Sequence, residues 1–453
     1  MDFDHLAEEQ SERLFQVWIR NLISNAPEEL AAKLAAKHWP GTPTTASRFS
    51  NGAFNLCYRV TYQDGSRILV RFTALGRVLL RNEKVEDEVA VMNYLAQNTP
   101  IPVPKVIGSG KCAVGPYMVM TIIEGNLLSG YLKDPLQEVV TLNPKIPISA
   151  LKRAYYGMAE IMLELSKSAF PFIGALREDE FGGWDVHKRP VTFNMNRLAQ
   201  FSNIPPGIFA KQRFTNTADY FEELAKQHLY HLEFQRNDAV KDEADCRKKY
   251  IARCLFRKIS REIPKEHRDG PFRLFCDDLR PGNILVDASN LTVSGAIDWE
   301  FTYAAPAEFT YTAPWWLLLE RPEEWEPDLN QFLARYMPRF HIFLDTLREC
   351  ERSKIIEGSL SDSQRLSGAM EVSMETGLFW DCLALRHSSM FDDIYWTFID
   401  QRYYGPFTTI EDRITHLSEE EGMNLENFVQ SKIQQAAEGR LISHQSVDEM
   451  VDM

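Results

Sequence analysis

Three side chains suited to handling a proton and a divalent metal ion lie close together in this chain. Residues 276–283 read Cys-Asp-Asp-Leu-Arg-Pro-Gly-Asn and residues 296–300 read Ala-Ile-Asp-Trp-Glu, which places Asp278, Asn283 and Asp298 in that order. Phosphoryl transfer needs such a set: one carboxylate to take the proton of an acceptor hydroxyl, and an amide oxygen and a second carboxylate to hold magnesium on the phosphates. Asp278 is the candidate for orienting and deprotonating the hydroxyl, Asn283 and Asp298 the candidates for the metal. An isolated Asp or Asn in such a loop would be an ordinary turn residue. Arg280, two positions after Asp278, is suited to neutralise charge on a transferred phosphate through forked hydrogen bonds, or else to cover the loop as a surface arginine.

The flanking segments must hold these groups. Arg-Leu-Phe precedes the loop, and Ile-Leu-Val and Leu-Thr-Val-Ser-Gly-Ala-Ile follow it around an Asp-Ala-Ser-Asn turn, so a strand and a short hairpin are expected. Nearer the start, residues 56–62 and 67–72 flank Gln-Asp-Gly-Ser, a second hairpin signal. Along the latter strand, Ile68, Val70 and Phe72 share one face and Leu69 and Arg71 the other. Residues 80–97 carry Val85, Val89, Met92 and Leu95 on a helical stripe, and the prolines at 100–104 end that helix. Residues 117–123 read as an apolar strand, and Glu124-Gly125-Asn126 as a linker. A helix is expected between Glu9 and Ala36, an amphipathic helix over 150–168, a long charged helical stretch over 216–262, and aromatic-rich helices through 325–402. The last fifty residues read as a polar helix and a frayed tail.

The catalytic-loop words resemble those of the aminoglycoside phosphotransferase and choline kinase-like family, whose loop usually reads His-Gly-Asp-Leu-His-Pro-Gly-Asn with a later Ile-Asp-Trp-Glu. Ser50–Asn55, Ile101–Val106, Pro314–Leu317, Gly377–Trp380 and Phe391–Trp396 are similar to the larger fungal branch, so the resemblance runs from about 45 to about 405. It implies an α+β, bilobal protein kinase-like fold, with a small antiparallel-sheet N-lobe and a mainly helical C-lobe. The division expected is a helical extension over 1–44, the N-lobe over 45–125, the C-lobe over 126–405 with an insertion around 216–262, and a C-terminal helix and tail over 406–453. It further implies a small-molecule kinase using ATP, with GTP as the alternative donor, and Mg, and a small-molecule hydroxyl acceptor. By the same resemblance Arg71 takes the place of the phosphate-binding strand lysine, with Glu88 as its partner and Glu86 as runner-up. Gly52, Ala53 and Asn55 would lie over the phosphates, and the backbone from Thr121 to Ile123 would hydrogen-bond adenine. Two positions depart from the family: Cys276 stands where His is usual, and Asp277 where Gly is common. Asp277 would either raise a carboxylate pKa by repulsion from Asp278 or turn away to cap a neighbouring backbone turn.

Composition narrows the class. With 453 residues, 44% hydrophobic and 25% charged, the chain is long enough for two lobes around a large core. No apolar run approaches the ~20 residues of a membrane helix, and the acidic start fits neither a secretory signal nor a transit peptide. Seven scattered cysteines suit a reducing, cytoplasmic setting. A net charge of −14 opposes nucleic-acid binding; it is compatible with a cationic acceptor, although solubility explains it as well. Trp315, Trp316, Phe379, Trp380, Tyr395 and Trp396 read as core rather than as a substrate pocket. A conventional protein kinase is disfavoured, because Trp-Glu-Phe-Thr-Tyr-Ala-Ala-Pro after Asp298 leads on without an activation segment ending in Ala-Pro-Glu. A catalytically silent kinase-like fold binding a nucleotide or metabolite stays as the alternative.

Overall fold

Period-two alternation in the small lobe produces a sheet with two different faces. The computed structural model describes residues 1–444 and residue 449, the side chain of Asn51 excepted. Strands β1 (Pro43–Asn51), β2 (Asn55–Tyr62), β3 (Arg67–Thr73), β4 (Val106–Cys112) and β5 (Gly115–Thr121) form an antiparallel sheet in the order β1-β2-β3-β5-β4. Ile68, Val70, Phe72, Tyr117 and Val119 point to its outer face, where helices α1 (His5–Ser24) and α2 (Pro27–His38) cover them with Trp18, Leu22, Ala31 and Ala35. The opposite face carries Met118 and Met120 against Val91, Met92 and Leu95 of helix α3 (Arg81–Asn98). A one-residue slip would exchange the two faces, so burial on both sides fixes the register that aims Arg71 away from the outer core.

The first 44 residues are thus built into the small lobe. The helix expected from Glu9 to Ala36 is two helices, because Ala26 adopts a left-handed φ of 46° and Pro27 opens the second. Trp18 Nε1 donates to the Val114 carbonyl at 2.7 Å, which fixes α1 on the sheet. The loop after β3 presses against α1 at Gly76, whose φ is 77°. A Cβ there would overlap the Ser11 carbonyl oxygen and come within 2.5 Å of the Phe15 nitrogen. Both obstacles are backbone, so Gly76→Ala is expected to destabilise the protein by roughly 2–4 kcal/mol in urea unfolding. A loss below about 0.5 kcal/mol, the scatter of neutral surface changes, would show that this junction is not tight.

Residues 122–125 lead into the large lobe, where strand β6 (Asn126–Leu127) starts helix α4 (Leu128–Leu132), followed by helix α5 (Ile148–Ser166). A hairpin of β7 (Ala175–Glu178) and β8 (Trp184–Lys188) precedes helix α6 (Phe193–Phe201). The charged stretch expected as one region over 216–262 is an antiparallel pair, α7 (Thr217–Phe234) and α8 (Glu243–Ser260), capped by Asn216 and Asp242. The catalytic-loop segment is framed by β9 (Arg273–Cys276), β10 (Ile284–Val286), β11 (Val293–Ala296) and β12 (Thr302–Ala305). β9 pairs with β12, and β10 lies between β11 and β6. Beyond these the chain is helical, with a long helix Leu329–Ile356 and a polar helix Glu419–Glu438. The tail expected after that helix falls largely outside the described residues. This is an α+β, bilobal fold: a small antiparallel-sheet lobe joined to a mainly helical one. Among the described residues no helix is long and apolar enough to cross a membrane.

Candidate active site

The cleft between the lobes has a volume of about 510 Å³, and Arg71, Glu88, Asp278, Asn283 and Asp298 all border it. That is the size range of small-molecule and cofactor sites. Pairing of Cys276 with Thr302 and of Ile284 with Ala296 brings the two ends of the loop to the cleft floor. Ile297 donates its N–H to the Asn283 carbonyl at 2.9 Å, tying the Asp298 segment to the loop. Asp298 takes a left-handed φ of 63°, one of the few non-glycine residues that do so, and its strained turn directs the carboxylate into the cleft.

Asn283 is held by its amide nitrogen. Nδ2 donates to the Asp278 carbonyl at 2.9 Å and to Asp278 Oδ2 at 3.2 Å, which leaves Oδ1 as the free end of the carboxamide. Asp298 keeps 31% of its side chain exposed and has Arg71 Nη1 at 3.4 Å from Oδ1. Burial, then repulsion from Glu300, raises the Asp298 carboxyl well above the usual carboxylate range; Arg71 and Lys84 pull the other way, and Glu88 adds to the rise. A neutral amide oxygen beside a crowded carboxylate suits a hard cation, which would relieve that crowding.

On the small-lobe side, Arg71 pairs with Glu88 rather than with exposed Glu86. Glu88 is fully buried and its Oε1 has no hydrogen-bond partner among the described residues. Asn55 borders the cleft with its carboxamide already engaged: its Nδ2 donates to Glu300 Oε2 at 3.2 Å and its Oδ1 accepts from Thr73 Oγ1 at 3.2 Å. Gly52 and Ala53 border the cleft, but the Gly52 N–H is already bound to the Asn55 carbonyl at 2.9 Å, so Ala53 carries the remaining amide of that pair. The Thr121 N–H is likewise taken, by the Lys105 carbonyl at 3.0 Å. Ile123 lies two residues beyond the last ladder pair, Ile68 with Thr121, and lines the cleft.

Asp278 is buried and gripped by two arginines. Arg280 Nε lies 3.1 and 3.2 Å from its two oxygens, and Arg321 Nη2 lies 3.0 Å from Oδ1. Arg280 therefore folds back over its own loop, above Gly282, where any side chain would strike the guanidinium. Sequence reasoning missed Arg321, which follows a tryptophan pair and sits 43 residues from Asp278; no local pattern marks it. It also missed Lys84, a buried lysine on α3 that pairs with Glu300 beneath the cleft.

The two departures in the loop are accommodated structurally. Cys276 is buried under the loop, its thiol 3.9 Å from the Glu300 carbonyl and its sulfur against the backbone N–H of Asp278, so it supports the loop from below. Asp277 turns away and accepts the Phe193 N–H at 3.1 Å, at the first residue of α6. Burial pushes its carboxyl up to about 6 against the pull of Arg386, and repulsion from Asp278 ranks last among the causes. Trp315, Trp316, Phe379, Trp380 and Tyr395 are buried, as core residues, with Trp396 at the edge of that core.

The sequence profile of the phosphotransferase enzyme family matches residues 45–343. Among curated proteins, clavilactone A biosynthesis cluster protein Y of Ampulloclitocybe clavipes is 26% identical over 293 residues, spanning 61% of this chain and 65%, less than two thirds, of that relative. Two solved structures illustrate the structural comparison. The macrolide 2′-phosphotransferase MphH of Brachybacterium faecium is 13% identical with a TM-score of 0.39, covering 84% of this chain and 99% of its own. Spectinomycin phosphotransferase in complex with ADP and spectinomycin is 11% identical with a TM-score of 0.37, covering 93% and 97%.

Proposed function

Because the chain belongs to the phosphotransferase enzyme family, we propose that it is a small-molecule kinase transferring the γ-phosphate of ATP to a metabolite hydroxyl, with magnesium. The observation that carries this reading is the meeting of Asp278, Asn283, Asp298 and the Arg71–Glu88 pair in one nucleotide-sized cleft. Asp278 orients the acceptor hydroxyl and takes its proton. Arg71, held in place by Glu88, offers its guanidinium to the phosphates of the donor. The backbone beyond the strand end, at 122–123, takes adenine, with Met120 and Leu285 among the apolar residues lining that part of the cleft. Asn283 Oδ1 and the Asp298 carboxylate are the groups that would hold magnesium. When bound there, the ion would neutralise charge developing on the phosphate oxygens. The seven free cysteines suit a cytoplasmic enzyme.

Nucleotide-dependent stabilisation tests the reading. At about 100 times Kd, ATP is expected to add about 2.7 kcal/mol of stability, with most of the effect requiring magnesium. Asp298→Ala should remove the magnesium-dependent part. Binding indifferent both to magnesium and to Asp298→Ala would instead favour a silent kinase-like fold. That second reading draws on one feature, the two guanidiniums resting on Asp278. An unbiased metabolite screen for ATP-dependent mass gain of one phosphate then identifies the acceptor.

A further inference from the structure

The two oxygens of Asp278 face different company. Oδ2 takes its hydrogen bond from Asn283, on the side tied to the Asp298 segment. Oδ1 takes a bond from Arg321, on a loop of the large lobe beyond Trp315 and Trp316, and Arg280 Nε is shared between the two oxygens. The Arg321 guanidinium lies over the rings of Phe193 at 5.1 Å and Trp315 at 5.8 Å. Phe193 is placed by Asp277, which accepts its N–H, so both loop aspartates help build this corner. Apart from Asp278, the nearby acids do not pair with the Arg321 side chain: Glu323 pairs with Arg197, and Glu324 bonds the backbone N–H of Arg321. Of the five side-chain N–H donors of an arginine, only one on Arg321 has a hydrogen-bond partner among the described residues, and that partner is the proposed base. Arg280 supplies a second cation at the same carboxylate.

Resting on the kinase reading, we propose that the acceptor carries an anionic group, a carboxylate or a phosphate, close to its reacting hydroxyl, and that Arg321 is the residue that selects it. A guanidinium fork matches either anion through two parallel hydrogen bonds. Engaging the anion draws Arg321 off Oδ1 and frees one acceptor position there for the acceptor hydroxyl, while Arg280 Nε keeps its bond to the carboxylate, so recognition and exposure of the base are one event. In the transfer, the hydroxyl proton passes to Asp278 Oδ1 while the acceptor oxygen bonds to the γ-phosphorus. The bond between that phosphorus and the bridging oxygen breaks, and ADP leaves with the electron pair. A cationic acceptor would meet two guanidiniums sharing one carboxylate, a corner with one positive charge in excess, so the overall charge of −14 does not describe the local field.

The test uses matched probes with the full-length protein: glycerate against glyceramide, glycerol 3-phosphate against glycerol, and ethanolamine and choline as cationic members. Phosphate gain is followed by mass spectrometry with ATP and magnesium, and binding by calorimetry on protein loaded with ADP and magnesium. The anionic member of a pair is expected to exceed its neutral partner by about 10- to 100-fold in kcat/KM or affinity, the range for hydrogen bonds to charged groups. The carboxylate pair and the phosphate pair separate the two anion sources. Arg321→Gln should collapse that preference, chiefly through KM, with ADP affinity held within about threefold as the sign of an intact fold; Arg321→Lys should restore part of it. Neutral or cationic probes turned over as well as anionic ones would overturn the proposal while leaving a kinase. An equal loss with every acceptor in Arg321→Gln would also overturn it, placing Arg321 on the transferred phosphate. Failure of every anion to bind overturns it too, whereas absence of nucleotide binding is the distinct failure of the kinase reading.

Discussion

Asp278→Ala is expected to lower phosphoryl transfer by about 10²- to 10⁴-fold, the usual range for removal of a positioned acid or base, while nucleotide affinity stays within about threefold. The asymmetry follows from the contacts. Asp278 meets Asn283, Arg280 and Arg321, whereas the pair of Arg71 and Glu88, proposed to face the phosphates, sits across the cleft on β3 and α3. Removing the carboxylate also frees both arginines, which adds positive charge near the phosphates and works against any loss of nucleotide binding. Asp278→Asn is the stricter comparison, because it keeps volume and a hydrogen-bond acceptor for the guanidiniums but removes the base. Single-turnover measurement with an acceptor from the metabolite screen, alongside calorimetry with ADP, separates the two effects. Transfer by Asp278→Ala at the parental rate would show that this residue does not handle the proton. A hundredfold loss of nucleotide affinity would instead make it part of the phosphate site.

The parts of this molecule that were legible in the sequence are those encoded by local pattern. Alternation in residues 67–72 places Arg71 opposite the outer core residues, and the apolar stripe on residues 80–97 marks the helix that carries Glu88, whose pairing with Arg71 comes from the family resemblance. The order Asp278, Asn283, Asp298 was readable because a tight loop and a hairpin keep short sequence intervals close in space. What was missed depends on long-range contact. The break at Ala26 needs a left-handed residue that alanine does not advertise, so one helix was read where two exist. Arg321 reaches Asp278 only because the large lobe folds its loop over Phe193, and nothing in Glu-Arg-Pro-Glu indicates that destination. Asn55 borders the cleft, but its binding of Glu300 and Thr73 through the carboxamide is a long-range arrangement that the glycine-poor loop does not spell out. Polar side chains in a sheet turn have no periodicity that tells inward from outward; the partner decides.

That partner network should dominate stability near the site. Lys84 and Glu300 form an ion pair with side chains 1% exposed on either side, and Asn55 bonds the same carboxylate. Lys84 belongs to α3 of the small lobe and Glu300 to the segment after Asp298, so the pair joins the lobes directly under the metal candidates. Lys84→Met is expected to cost about 3–5 kcal/mol, because it leaves Glu300 buried without a compensating charge. Most of that figure is the penalty of the abandoned carboxylate rather than the worth of the pair, so the double variant Lys84→Met, Glu300→Gln should recover more than half of it. Urea unfolding of the two single variants and the double variant forms a complete cycle. Additive losses would mean that the two side chains do not depend on each other. Recovery of stability without recovery of magnesium-dependent nucleotide binding would indicate that the pair is kept for the field it imposes on Asp298. Lys84 is among the charges that hold the Asp298 carboxyl down and Glu300 among those that push it up. Replacing both by neutral groups therefore changes the electrostatics of the metal candidates even where packing is preserved, and the double variant separates the structural from the electrostatic contribution of one buried contact.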